Sequence, residues 1–146
     1  MILGGGSYGA TTQGVLYKDI DITNFDDKYT PFENDADGRV WIGKGMGFLP
    51  ANIISGTHFV QRGRTGRLLT AALYLQEKHG HSVVGIGVGE DASVVVYADG
   101  KCEVVGALGV LVLDPAKAIK MEGSAEHGMY WYENIRIHYL EHGDIF

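Results

Sequence analysis

Short apolar runs broken by glycine dominate this chain. Met1 to Gly4 runs straight into Gly5 and Gly6, Gly43, Gly45 and Gly47 interrupt the stretch before Pro50, and Gly85, Gly87 and Gly89 punctuate the run that starts at Val83. None of these runs reaches the roughly 20 apolar residues of a membrane helix. Glycine at their ends fits instead a sheet whose strands finish in close-packed loops. The 22 glycines in 146 residues are about twice the common ~7%, and no low-complexity run accounts for them.

The apolar pattern then predicts the elements. Met1 to Gly4 reads as the end of a buried strand, Tyr8 to Tyr17 as a short helix with small residues facing a sheet, and Lys18 to Gly38, with seven acidic residues, as an exposed loop. Arg39 to Ile42 and Asn52 to Ser55 are short strands separated by the loop GKGMGFLP. From Arg67 to His79 apolar residues recur at helical spacing, and Gly80 supplies the stop. Ser82 to Val88 and Ala92 to Tyr97 are β-branched strands, and Lys101 to Val105 follows the hairpin pair Asp99-Gly100. Leu108 to Leu113 is another strand, ended by Asp114-Pro115, and Ile135, Ile137 and Tyr139 alternate with Arg136, His138 and Leu140 as in a strand exposed on one face. The sum is a strand-rich α/β chain with few helices, one domain or half-domain over 1–146.

Charge narrows the partners. A net charge of -6 offers no basic footprint for nucleic acid, and no charged start with an apolar segment and cleavage site is present. The expectation is a protein without nucleic-acid or membrane partners; the compartment stays open with the cytoplasm favoured, because the natural N-terminus can lie upstream of Met1. The single Cys102 sits among strand residues and reads as packed rather than reactive.

The chemistry begins at Gly5-Gly6-Ser7-Tyr8-Gly9, a G-x-S-x-G pattern. In α/β folds this motif makes a tight strand-to-helix turn that pushes the serine hydroxyl out at the sheet edge. A strand remnant before it and a small-residue helix after it suit that role, and the Tyr8 N–H would then face a developing oxyanion. The competing reading is an ordinary glycine-rich turn. A serine nucleophile needs a base and a group that orients the base. Of six histidines, His58 stands apart because it follows the apolar strand end Ile53 to Thr57, where α/β enzymes present catalytic groups. His79 and His81 flank a helix end, and His127, His138 and His142 lie in a polar tail. Glu90 closes Val83 to Gly89 in the same way as His58 closes its strand, with Asp91 beside it as the rival acid.

Around His58 the stretch THFVQRGRTGRL offers Thr57, Gln61, Arg62, Arg64 and Arg67 as substrate-binding candidates. Arginines suit bidentate recognition of carboxylates, while positive charge at a helix start opposes the helix dipole. Two metal patterns fail. Glu33, Asp35 and Asp37 start like a calcium loop, but the twelfth position is Lys44, and one cysteine cannot build a structural zinc site. No metal or cofactor is expected.

Taken together, GGGSYGATTQG, GMGFLP, THFVQRGRTGRLL, VVGIGVGEDASVVV, EVVGALGVLVLDP and LEHGDIF resemble, in order, the cyanophycinase family of serine peptidases, which includes aspartyl dipeptidases. The resemblance implies the C-terminal part of a three-layer α/β/α, flavodoxin-like fold akin to class I glutamine amidotransferases. It also implies a triad in the chain order Ser7, His58, Glu90, the same three residues chosen above. Two departures affect the pocket: Gly56 stands where the family has Asp, and Tyr8 where it has Ala. The family's first half has no counterpart here, including the glycine-rich loop that resembles the source of the second oxyanion donor. The resemblance therefore implies an N-terminal partner chain or fragment, a homo- or hetero-oligomer, and a peptide substrate containing aspartate, cyanophycin among the options. The alternative is a non-catalytic relative kept as an assembly or binding module.

Overall fold

The structure is a computed structural model, and it describes residues 2–4, 49–121 and 131–146. In chain order these form β1 (Ile2–Gly4), β2 (Ile53–Gly56), α1 (Thr65–His79), β3 (Val84–Val88), β4 (Ala92–Val96), β5 (Cys102–Gly106), β6 (Val110–Asp114), β7 (Ile119–Met121), β8 (Trp131–Glu133) and β9 (Arg136–Leu140). The main sheet has the order β2-β3-β6-β9, with β2 and β3 parallel and the other pairs antiparallel. Parallel neighbours need a crossover, and α1 supplies it.

Period-two alternation explains how the layers meet. On one face of the main sheet Ile54, Leu113 and Val83 pack with Phe59 and with Leu68, Ala71, Ala72 and Leu75 of α1. On the other, Ile86, Val88, Val110 and Val112 pack against Ala92, Val94, Cys102 and Val104 of β4 and β5. Fully burying each large aliphatic or aromatic side chain contributes about 1.5–3 kcal/mol. The order β1-β4-β5 makes a second, antiparallel sheet over that face. The described residues are thus a strand-rich, open-sheet α/β unit, consistent with part of a flavodoxin-like domain.

Local signals account for the element ends. Gly80 takes the left-handed conformation at φ 70° and its N–H returns to the Gln76 carbonyl at 2.9 Å, stopping α1. Gly100, at φ 89°, turns the β4–β5 hairpin, with Tyr97 N–H on the Lys101 carbonyl at 2.9 Å. Gly85 and Gly87 have a packing reason: a Cβ there would stand 2.9 Å from Leu68 Cγ and 2.3 Å from Phe59 Cδ1, so their absence lets α1 and the Phe59 ring lie on the sheet.

Several boundaries move from those expected. Helix α1 begins at Thr65 rather than Arg67, so Arg67 lies inside its first turn, which has no acidic residue. Strand β6 begins at Val110 rather than Leu108, because Gly109 is occupied by bonds to Gly89 and Tyr139. In β9 both Ile137 and Tyr139 are more than half exposed, so the strand is open on both faces among the described residues rather than on one. Beyond the elements that the sequence predicts, β7 pairs with β8, and the C-terminal tail pairs with β5 through Cys102–Phe146 and Val104–Asp144 backbone bonds. The expected Tyr8 to Tyr17 helix, the 18–38 loop and the Arg39 to Ile42 strand lie outside the described residues. Among the described residues no helix is long and apolar enough to cross a membrane.

Candidate active site

Strand β2 ends at Gly56, and the next three residues turn across the carboxyl end of the main sheet. Phe59 N–H donates to the Val88 carbonyl at 3.2 Å, which ties this turn to the end of β3. The Phe59 ring is 1% exposed and lies over Gly56 and Gly87. His58 is left in the left-handed region at φ 49°, a conformation that costs a non-glycine residue roughly 1–3 kcal/mol and persists where surrounding bonds fix it. Those bonds are present: Arg62 N–H on the His58 carbonyl (3.3 Å), Arg64 N–H on the Phe59 carbonyl (3.1 Å) and the Arg64 guanidinium on the Thr57 carbonyl (2.6 Å).

The acid arrives from β3. After Val88 the chain leaves the main sheet through Gly89, Glu90 and Asp91 and enters β4 in the second sheet. This corner places Glu90 Oε1 2.9 Å from His58 Nδ1. The histidine side chain is 4% exposed and the glutamate side chain 32%. Asp91 is exposed and takes a left-handed φ of 54°, so of the two acids it is Glu90 that meets the imidazole.

A carboxylate accepts a hydrogen bond, so Nδ1 carries the proton toward Glu90 and Nε2 of the neutral ring keeps its lone pair. That is the arrangement of a general base held by an acid. The corner is secured on its flanks as well. Gly89 N–H reaches the Gly109 carbonyl (3.3 Å), Ala107 N–H reaches the Asp91 carbonyl (2.8 Å), and Gly109 N–H in turn donates to the Tyr139 hydroxyl (3.2 Å). No sequence signal marked Tyr139, which bonds across 30 residues of chain.

The remaining candidates divide. Arg64 is buried, with its guanidinium on the Thr57 carbonyl inside the loop. The Gln61 side-chain oxygen accepts a hydrogen bond from Glu90 N–H at 3.1 Å. Arg62 is exposed and Arg67 partly so, both beside the His58 loop. Thr57 Oγ1 is buried and has no hydrogen-bond partner among the described residues. Ser7 and Tyr8 lie outside the described residues. The described residue nearest to them in sequence, Gly4, pairs with Ser93 at the start of β4, three residues beyond Glu90. Of the other histidines, His142 accepts Gly106 N–H at 3.3 Å, and the His79 and His81 rings lie 5.8 Å apart at the end of α1.

No protein-family model matches the chain. Its sequence is 32% identical over 106 residues to a cyanophycinase from Trichormus variabilis, and equally so to one from Nostoc sp.; the match covers 70% of this chain and 33% of each relative. A cyanophycinase from Synechococcus elongatus is 29% identical over 120 residues, 77% of this chain and 34% of that protein. The similarity supports a cyanophycinase-like relationship, and the chain spans about a third of the length of these relatives.

Proposed function

We propose that the chain bears the catalytic residues of a cyanophycinase-like serine peptidase, with Ser7 as nucleophile, His58 as base and Glu90 as the acid that orients it. The observation that carries this reading is the Glu90–His58 contact at 2.9 Å, made by residues that close two neighbouring parallel strands. Reach supports it as well. Ser7 follows Gly4 by three residues, at most about 11 Å of extended chain, and Gly4 pairs beside the start of β4.

In the proposed reaction Ser7 Oγ attacks a peptide carbonyl carbon while its proton passes to His58 Nε2. The Tyr8 N–H and a second donor hold the oxyanion. The carbon–nitrogen bond then breaks, and His58 returns the proton to the leaving amine. Water attacks the resulting acyl ester with His58 again taking the proton, and the carboxylic acid leaves as Ser7 is regenerated. Glu90 stays ionised throughout, fixing the tautomer and stabilising the imidazolium.

Substrate recognition falls to the arginines that project beside this loop. Arg62 and Arg67 suit the carboxylates of an aspartate-containing peptide, and Thr57, whose buried hydroxyl has no partner among the described residues, stands next to the base. The second oxyanion donor belongs, in this reading, to the portion of the fold that the relatives contain and this chain does not span, carried in the same polypeptide or by a separate one.

The test is hydrolysis of cyanophycin and of short aspartyl peptides by the chain together with any polypeptide that co-purifies with it. Product release that disappears in Ser7→Ala supports the reading. Hydrolysis that survives Ser7→Ala overturns it, and no hydrolysis with every partner present favours an assembly or binding subunit.

A further inference from the structure

The corner that carries Glu90 is held residue by residue, and one of the three fastenings differs in kind. Gly89 and Asp91 are bonded to backbone atoms of the β5–β6 loop, Gly109 and Ala107 respectively. Glu90 N–H, between them, goes to a side chain, the Gln61 carboxamide oxygen at 3.1 Å. Gln61 belongs to the loop that holds His58, three residues further on, and the backbone bonds from Arg62 to His58 and from Arg64 to Phe59 close that loop around it.

The Gln61–Glu90 bond therefore spans the two halves of the dyad directly. One end is fixed relative to the imidazole and the other sets the backbone from which the carboxylate hangs. Gly89 answers to the β5–β6 loop instead: a Cβ there would stand 2.9 Å from the Gly109 carbonyl oxygen, whereas 3.8 Å from Gln61 Nε2 is ordinary contact.

We propose that Gln61 is a positioning residue for the acid, rather than a substrate contact: by accepting Glu90 N–H it holds the carboxylate where it meets His58 Nδ1. This rests on the reading of His58 and Glu90 as a catalytic pair. Small misplacements at such a pair are costly, since about 1 Å can lower rate by about 10²-fold. The Gln61 bond is exposed and the backbone bonds at Gly89 and Asp91 also hold the corner, which limits the effect to a smaller factor.

Two variants and two readouts test it. Gln61→Met keeps the side-chain length and removes the oxygen; Gln61→Glu keeps an oxygen acceptor in the same place. In protein labelled with nitrogen-15 at histidine, a His58 Nδ1–H proton bonded to a carboxylate is expected to resonate far downfield. That resonance is expected to broaden or move upfield in Gln61→Met and to persist in Gln61→Glu. In hydrolysis, Gln61→Met is expected to lower kcat about tenfold with KM little changed, the net worth of one hydrogen bond expressed as a rate, and Gln61→Glu to restore most of it. An unchanged His58 resonance in Gln61→Met, or a raised KM at unchanged kcat, overturns the proposal. The resonance reports on the pair whether or not the chain hydrolyses anything, so failure of the peptidase reading and failure of the Gln61 role are separately visible.

Discussion

Gly87→Ala reverses the usual sign of a glycine-to-alanine change. At a strand position with room for it, alanine stabilises by about 0.5–1 kcal/mol because the unfolded chain has less freedom to lose. At Gly87 the new Cβ would stand 2.3 Å from Phe59 Cδ1 and 2.4 Å from Cγ, where carbon atoms want about 3.5–4.0 Å. The ring must retreat by more than about 1 Å, and its ways out are closed. It is 1% exposed, packs in the cluster with Leu68 and Leu75, and its own N–H is bonded to Val88 beside the new methyl group. Overpacking of this kind costs about 1–3 kcal/mol, so the net expectation is a loss of about 1–2 kcal/mol. Urea unfolding with an unchanged slope measures it. Adding Phe59→Leu should recover part of the loss although Phe59→Leu alone destabilises, a coupling of about 0.5–3 kcal/mol between touching residues. Unchanged or increased stability in Gly87→Ala would refute the packing of Phe59 on β3, and with it the reason His58 stands where it does.

Glu90→Gln should lower kcat by roughly three to four orders of magnitude with the fold intact, because an amide can donate to Nδ1 and so select the tautomer that lacks a lone pair at Nε2; a loss below about tenfold would remove Glu90 from the site. Asp91→Asn is the matched control and should leave kcat within about twofold, since Asp91 is exposed and its backbone carbonyl makes the bond to Ala107. Burial pushes the Cys102 thiol above its ordinary value, so at pH 8 it stays protonated and should react slowly with a disulfide reagent in the native protein and rapidly in urea. Fast stoichiometric labelling of the native protein would contradict its place between the sheets.

Local chemistry was legible in the sequence, and long-range pairing was not. The stop at Gly80, the Asp99-Gly100 hairpin and the burial of Cys102 follow from the residues themselves. That His58 and Glu90 come together was legible because each closes an apolar run, and groups at the carboxyl ends of neighbouring parallel strands converge. Which sheet each strand joins could not be read the same way. Strands β3 and β4 look alike as β-branched runs, yet the corner at Glu90 sends them to different sheets. Gln61 shows the same limit at the site. Its residue type and place beside three arginines suggest a substrate contact, and its bond to Glu90, 29 residues away, depends on how two loops meet. Arg64 likewise reads as a substrate-binding candidate, while the fold buries it with its guanidinium on the Thr57 carbonyl.

In the proposed triad His58 and Glu90 activate Ser7. The most direct test of that activation is a fluorophosphonate probe applied to the chain with any co-purifying polypeptide, followed by mass mapping of the adduct. The expected result is a single adduct on Ser7, lost in His58→Ala and strongly slowed in Glu90→Gln. An adduct on another residue, or labelling of Ser7 at the same rate in His58→Ala, would contradict it.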